Sequence, residues 1–384
     1  MPKRSALSRF AVTVVVLAAA GAGSGLAATA ADAAEPKHEA TQTALDQHRL
    51  RRAAIGAGAV VRDGATMWSL TSGSRELGRS LPFGPEHRIR AGSLTKTFTA
   101  AMMMQLVDEG KVDLDASVET YLPGVVQGKG YDGDQISVRQ MLNHSSGIYD
   151  YVSVALRNPQ LQLRRFTLAE VARLGLDNPP YFEPGKGYQY SGTNFILAGM
   201  IIEAVTGRSY IDELTSRIIK PLGLTETFVP VGTKALPPGH VRGYLGRIVY
   251  VDVTQTFEPS LGGSSGGIVT SGADATRFMQ ALVTGKLTSP ASLKEMLTPL
   301  KGSLGSAEGR YGQGIFSIPL PCGGEAWGHN GIWPGYESNT VATKDGRSAF
   351  VAVNVFDPFG GAVSNPGGAT PLEQAAATAL CDRN

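Results

Sequence analysis

Residues 93–110 read Ser93-Leu94-Thr95-Lys96 and then TFTAAMMMQLVDEG. Leu94, Phe98, Met102 and Leu106 recur every four residues, which predicts a helix that Gly110 ends. Positions i and i+3 share a helical face, so the Lys96 amine can approach the Ser93 hydroxyl. A helix N-terminus also offers backbone N–H groups and the positive end of the dipole, a setting that suits an oxyanion. A serine there is more often a simple cap, and this spacing arises about once by chance in a chain of such length. Lys96 is nonetheless the only lysine with a serine three positions before it. A serine–lysine pair can act as nucleophile and base if desolvation keeps part of the amine neutral.

On the N-terminal side, strand patterns at 57–62 and 65–71 flank the hairpin turn Asp63-Gly64, and a short amphipathic helix is read over 46–54. Residues 34–45 form a polar lead-in expected to be mobile. On the C-terminal side, helices are expected at 167–174, 193–206 and 210–219. Strands follow at 325–329, 336–343 and 347–355, with the turn Asp345-Gly346 between the last two, and a final helix spans 371–381. Hairpins at both ends around a helical middle predict an α/β (α+β) fold: one antiparallel sheet built from both ends of the chain, flanked by helices, with an inserted helical domain. The expected division is 34–98 plus 246–384 for the sheet part and 99–245 for the insert.

The first residues read as an export signal. Lys3, Arg4 and Arg9 precede the apolar run 10–20, and Ala-x-Ala steps follow at 28–30 and 31–33. A membrane anchor needs about 20 apolar residues, whereas this run breaks into Gly and Ser at 21–25. The expectation is a signal over 1–33 and a secreted, monomeric chain. Two cysteines, Cys322 and Cys381, suit an oxidising compartment, and a bridge between them is the economical reading.

Of 384 residues, 18% are charged and the net charge is +2, which leaves no basic excess for nucleic acid and no composition for disorder. Residues 262–267 (GGSSGG) lack the lysine of a phosphate loop and read as a flexible turn near the site. His38, His48, His87, His144 and His240 lack metal-ligand spacing, so no metal or other cofactor is expected. His144 is read as a structural hydrogen-bonding residue.

Two further segments carry chemistry: Tyr190-Ser191-Gly192 before an apolar helix, and His329-Asn330-Gly331 between strand patterns. With Ser93-x-x-Lys96 in this order, the chain resembles the serine penicillin-recognising enzymes, in the branch of secreted D-alanyl-D-alanine carboxypeptidases, class C β-lactamases and related esterases. The resemblance extends over 91–124, 138–151, 188–228 and 311–345. It implies Ser93 as the acylated nucleophile, Lys96 as its base, and Tyr190 as proton relay to the leaving group. It implies that His329 keeps the site's hydrogen-bond network polar, and that the N–H groups of Ser93 and Ile332 form an oxyanion hole.

Three departures from that pattern bear on the substrate. Gly192 replaces an asparagine, removing a donor and opening space. Ile315, Phe316 and Ser317 stand where an arginine would grip a terminal carboxylate. Asn330 and Ile332 replace hydroxyl residues beside Gly331. Gly192, Asn330, Gly331 and Phe316 are therefore expected to shape substrate binding. The expectation is a D-alanyl-D-alanine carboxypeptidase-type acyl-hydrolase acting on peptidoglycan-type peptides and acylated by β-lactams. An esterase, a D-amino-acid amidase or aminopeptidase, or a weak β-lactamase is the alternative on the same scaffold. A catalytically silent penicillin-binding protein is a third, which the intact Ser93, Lys96 and Tyr190 oppose.

Overall fold

The computed structural model describes residues 38–307, 309–356 and 370–383; the signal read over 1–33 lies outside them. Six strands form one antiparallel sheet: β1 (Gly56–Asp63), β2 (Thr66–Gly73), β3 (Phe316–Pro319), β4 (Glu325–Trp333), β5 (Tyr336–Ala342) and β6 (Arg347–Val353). Their order is β2-β1-β6-β5-β4-β3, so the two ends of the chain meet where β1 pairs with β6. Both of these central strands are buried along nearly their whole length and read as apolar runs, as strands covered on two faces do.

The helices used below are α1 (Glu39–Arg51), α2 (Thr95–Asp108), α3 (Tyr151–Arg157), α4 (Leu168–Leu176), α5 (Gly192–Thr206), α6 (Gly272–Val283) and α7 (Pro371–Cys381). Ala59, Val61 and Val351 pack in one core with Leu45 of α1 and Leu380 of α7. Val60 and Phe350, on the other face, pack in a second core with Phe278 of α6 and with the helical segment. The segment expected as an inserted domain thus shares its core with the sheet. Within it α2 is buried on nearly all sides, not along one stripe, and Phe98 stacks on Phe278 with ring centroids 3.5 Å apart.

Several sequence expectations shift. The helix read over 46–54 begins at Glu39, within the stretch expected to be mobile. The Asp382 carboxylate accepts from the Thr41 N–H (2.9 Å) and hydroxyl (2.6 Å), a tether from the far end of the chain that no local pattern announces. The flexible turn expected over 262–267 contains a helical turn, Gly263–Gly266, with Ser264 and Ser265 buried. Ser264 Oγ donates to the Phe195 carbonyl (2.8 Å). The strand read over 325–329 continues to Trp333. The last strand read over 347–355 ends at Val353, and Val355–Phe356 pair in parallel with 244–245.

Cys322 and Cys381 are bridged, joining the loop between β3 and β4 to the end of α7 across 59 residues. A loop of that length gives about 4 kcal/mol in the chain-entropy account. The Cys322→Ser/Cys381→Ser variant is expected to lose up to that amount in urea unfolding. Thiol titration of the unreduced, denatured protein should find no free cysteine, and two reactive thiols would overturn the bridge.

Candidate active site

Beyond Gly328, β4 has no strand partner on the β3 side among the described residues, because β3 pairs only with Glu325–Gly328. The turn Gly92–Leu94 that starts α2 lies against this open edge. Gly92 has φ +51°, and a Cβ on it would fall 2.2 Å from the Ile332 carbonyl oxygen. Only glycine allows so close an approach in that conformation. Trp333 and Tyr336 pair directly across a two-residue turn, so the alternation of the ladder directs the Ile332 N–H away from β5, toward the edge where Ser93 sits.

The serine–lysine contact expected from spacing is present. Lys96 Nζ donates to Ser93 Oγ (3.1 Å) and to the Ser265 carbonyl (3.0 Å). Lys96 is 2% exposed, and burial lowers its pKa to about 7, with the Asp150 charge opposing the shift. The rings of Tyr190 and Phe195 lie 4.9 and 5.8 Å from Nζ. The Tyr190 hydroxyl is directed to Ser93 but closes no hydrogen bond, and burial holds its pKa well above the usual phenol value.

His329 is tied back. Its Nδ1 lies 2.6 Å from the Asn330 carbonyl, which can only accept, so Nδ1 carries the proton and Nε2 accepts from the Tyr311 hydroxyl at 2.9 Å. Burial and the nearby Lys96 lower its pKa to about 3, so it is neutral. His144, read as a structural hydrogen-bonding residue, holds the loop bearing Tyr190. The His144 Nδ1 accepts from the Ser191 N–H (3.1 Å), and its carbonyl accepts from the Gln189 N–H (3.0 Å).

Two expectations about substrate contacts are corrected. Gly192 does not open space: a Cβ there would lie 2.7 Å from Tyr151 Cε1, 2.9 Å from Ser265 Oγ and 3.2 Å from Asp150 Oδ1. Side chains of α3 and its N-cap fill the volume an asparagine would take. Phe316 is buried in the core, its ring 5.4 Å from that of His329. It packs against the histidine ring from within the core. Asn330 is half-buried, Gly331 packs on the Ala91 carbonyl, and the Ile332 side chain is 44% exposed.

Sequence reading missed Asp150. Its Oδ1 accepts from the Gly192 N–H (2.8 Å) and the Val152 N–H (3.3 Å), capping α3 and meeting the start of α5. Burial raises its pKa, and the two N–H donors and Lys96 act against that. A half-buried serine hydroxyl, a half-neutral amine and a buried phenol are parts an acyl-transfer site needs.

The family model Beta-lactamase matches residues 15–366. Penicillin-binding protein 4* of Bacillus subtilis is 29% identical over 304 residues, 75% of this chain and 65% of that protein, so the match spans just under two-thirds of the relative's length. Among solved structures, a D-stereospecific amidohydrolase from Streptomyces sp. is 39% identical with a TM-score of 0.76, covering 83% of this chain and 95% of that one. The D-amino acid amidase from Ochrobactrum anthropi SV3, complexed with L-phenylalanine, is 28% identical with a TM-score of 0.76, covering 89% and 97%. A family match across most of the chain, on a fold and a Ser93–Lys96 pair that suit it, means that the chain belongs to the Beta-lactamase family of serine penicillin-recognising hydrolases.

Proposed function

We propose that the protein hydrolyses amides and short peptides of D-amino acids whose α-amino group is free, through an acyl-enzyme on Ser93. The observation that carries this reading is Asp150, a carboxylate beside Gly192 and close enough to Lys96 to act on its charge. An acyl residue seated over Ser93 with its α-ammonium toward Asp150 gains a charge-assisted bond, which an N-acylated residue cannot make. The similarity to a D-stereospecific amidohydrolase and a D-amino acid amidase supports the same choice and the D configuration. The carboxypeptidase reading, which acts on acylated peptides, has weaker support because Ile315, Phe316 and Ser317 stand where the carboxylate-gripping arginine would, and Phe316 is core.

In this reaction neutral Lys96 takes the Ser93 proton as Oγ attacks the substrate carbonyl. The N–H groups of Ser93 and Ile332 hold the oxyanion, and Tyr190 passes the proton to the leaving nitrogen. His329, closed on Tyr311 and Asn330, fixes the strand edge and exchanges no proton.

The test compares D-alaninamide with N-acetyl-D-alaninamide. The wild type is expected to favour the free amine at least tenfold in kcat/KM. Asp150→Asn should collapse that ratio, since a charged hydrogen bond of about 1.5–3 kcal/mol corresponds to about ten- to hundredfold. A wild type that prefers the acetylated compound would overturn the reading.

A further inference from the structure

Tyr190 is held differently from its two partners. Ser93 lies on the turn Gly92–Leu94 and Lys96 on α2, whereas residues 187–191 belong to no helix or strand. A phenol on an irregular segment is placed by whatever grips that segment. His144 grips it at three successive residues. Its carbonyl accepts from the Gln189 N–H (3.0 Å), its ring lies against the Tyr190 ring with centroids 4.3 Å apart, and its Nδ1 accepts from the Ser191 N–H (3.1 Å).

The histidine is itself fixed. Ser146 Oγ donates to Asn194 Oδ1 (2.7 Å), which turns the Asn194 amide nitrogen to His144 Nδ1 at 3.2 Å. A nitrogen that accepts twice carries no proton. Burial, and then the nearby Lys96 and His329, hold the ring's pKa well below the usual imidazole value, so the ring stays neutral. The backbone of His144 has φ +64°, a left-handed conformation that is uncommon outside glycine and in which asparagine, aspartate and histidine are enriched. Such a conformation persists where the surroundings impose it. One residue so bent meets the same loop with both its carbonyl and its ring.

We propose that His144 is a positioning residue for acyl transfer: it seats the Tyr190 hydroxyl toward Ser93, and proton delivery to the leaving nitrogen depends on it. The inference rests on the relay assigned to Tyr190 and identifies the residue on which that relay depends. Displacing a reacting group by about 1 Å can cost a hundredfold. Only leaving groups that must be protonated should feel the loss. With an amide or a β-lactam the Ser93 Oγ–carbon bond forms, the carbon–nitrogen bond breaks and the serine proton ends on nitrogen. With a p-nitrophenyl ester the carbon–oxygen bond breaks, p-nitrophenolate leaves as the anion and the serine proton passes to solvent.

The experiment measures kcat/KM for D-alaninamide and p-nitrophenyl acetate, and the rate of penicillin acylation by intact mass. Tyr190→Phe sets the scale: it should slow the amide and the β-lactam at least a hundredfold and the ester less than about threefold. His144→Gly adopts φ +64° without strain but loses the ring, and should slow both nitrogen leaving groups at least tenfold with the same small effect on the ester. His144→Asn keeps an acceptor at the Nδ1 position and tolerates the left-handed backbone, so it should stay within about threefold of wild type throughout. In Tyr190→Phe/His144→Gly the second substitution should add less than about twofold. The inference is overturned by equal losses on amide and ester, by a wild-type-like His144→Gly, by a His144→Asn as slow as His144→Gly, or by full additivity. A selective Tyr190→Phe would leave the relay standing in each of those cases, whereas an unselective one removes the relay and the inference with it. If D-alaninamide is not hydrolysed, the proposed substrate class fails and penicillin acylation carries the comparison; a wild type that accepts neither overturns the inference. His144→Phe, which keeps the bulk and loses the acceptor, replaces a His144→Gly that does not fold. If neither folds, His144 serves the fold alone and the inference is overturned.

Discussion

Ser93→Ala is expected to lower turnover about ten-thousandfold or more on any substrate the enzyme accepts, and to abolish the single covalent adduct that a penicillin is expected to leave on the wild type. The hydroxyl is the atom on which the other parts converge. Lys96 Nζ is 3.1 Å away, Tyr190 is directed to it, and Gly92 sets its backbone against β4. Removing the nucleophile leaves the oxyanion donors and the binding surfaces in place. Their residual contribution is small beside the loss of a covalent route, as in serine hydrolases where nucleophile and base act as a unit. Intact-mass spectrometry after penicillin treatment should show one acyl group on the wild type and none on the variant. An adduct surviving on Ser93→Ala would place the nucleophile elsewhere.

The sheet was legible because its signals are local. Asp63-Gly64, Asp345-Gly346 and the apolar runs around them mark hairpins, and the recurrence from Leu94 to Leu106 marks α2. The Ser93–Lys96 contact was legible for a similar reason, since a helix brings residues three apart together whatever packs around it. What escaped depends on contacts between distant segments. The early start of α1 rests on Asp382, and Gly192 is closed by Tyr151 and Ser265, not open as its lack of a side chain suggested. Asp150 was hidden for a different reason: the helix it caps, α3, was not among the expected elements. Its second role appears only when α5 and Lys96 are set beside it. Phe316 shows the reverse error, a position carried over by order along the chain that the pairing of β3 with β4 turns into the core.

Lys96 carries the second large effect, and its sign follows from burial. With the amine at about pKa 7, kcat/KM for acylation should rise about tenfold per pH unit below that value and level above it, because the neutral amine is the base. Lys96→Met, which keeps the length and loses the base, is expected to cost about a thousandfold at neutral pH, within the range of general-base catalysis. It should also flatten the profile. Stability gives an independent readout. The amine is depressed from 10.5 in the unfolded chain to about 7 in the folded one, so between those values the unfolded chain binds the extra proton. Unfolding free energy therefore rises with pH across that window, while below about pH 7 both states are protonated and this slope vanishes. Urea unfolding at several pH values should show the slope in the wild type and its loss in Lys96→Met. A variant that keeps both the rate limb near pH 7 and the stability slope would show that another group titrates there, and Lys96 would lose its place as the base.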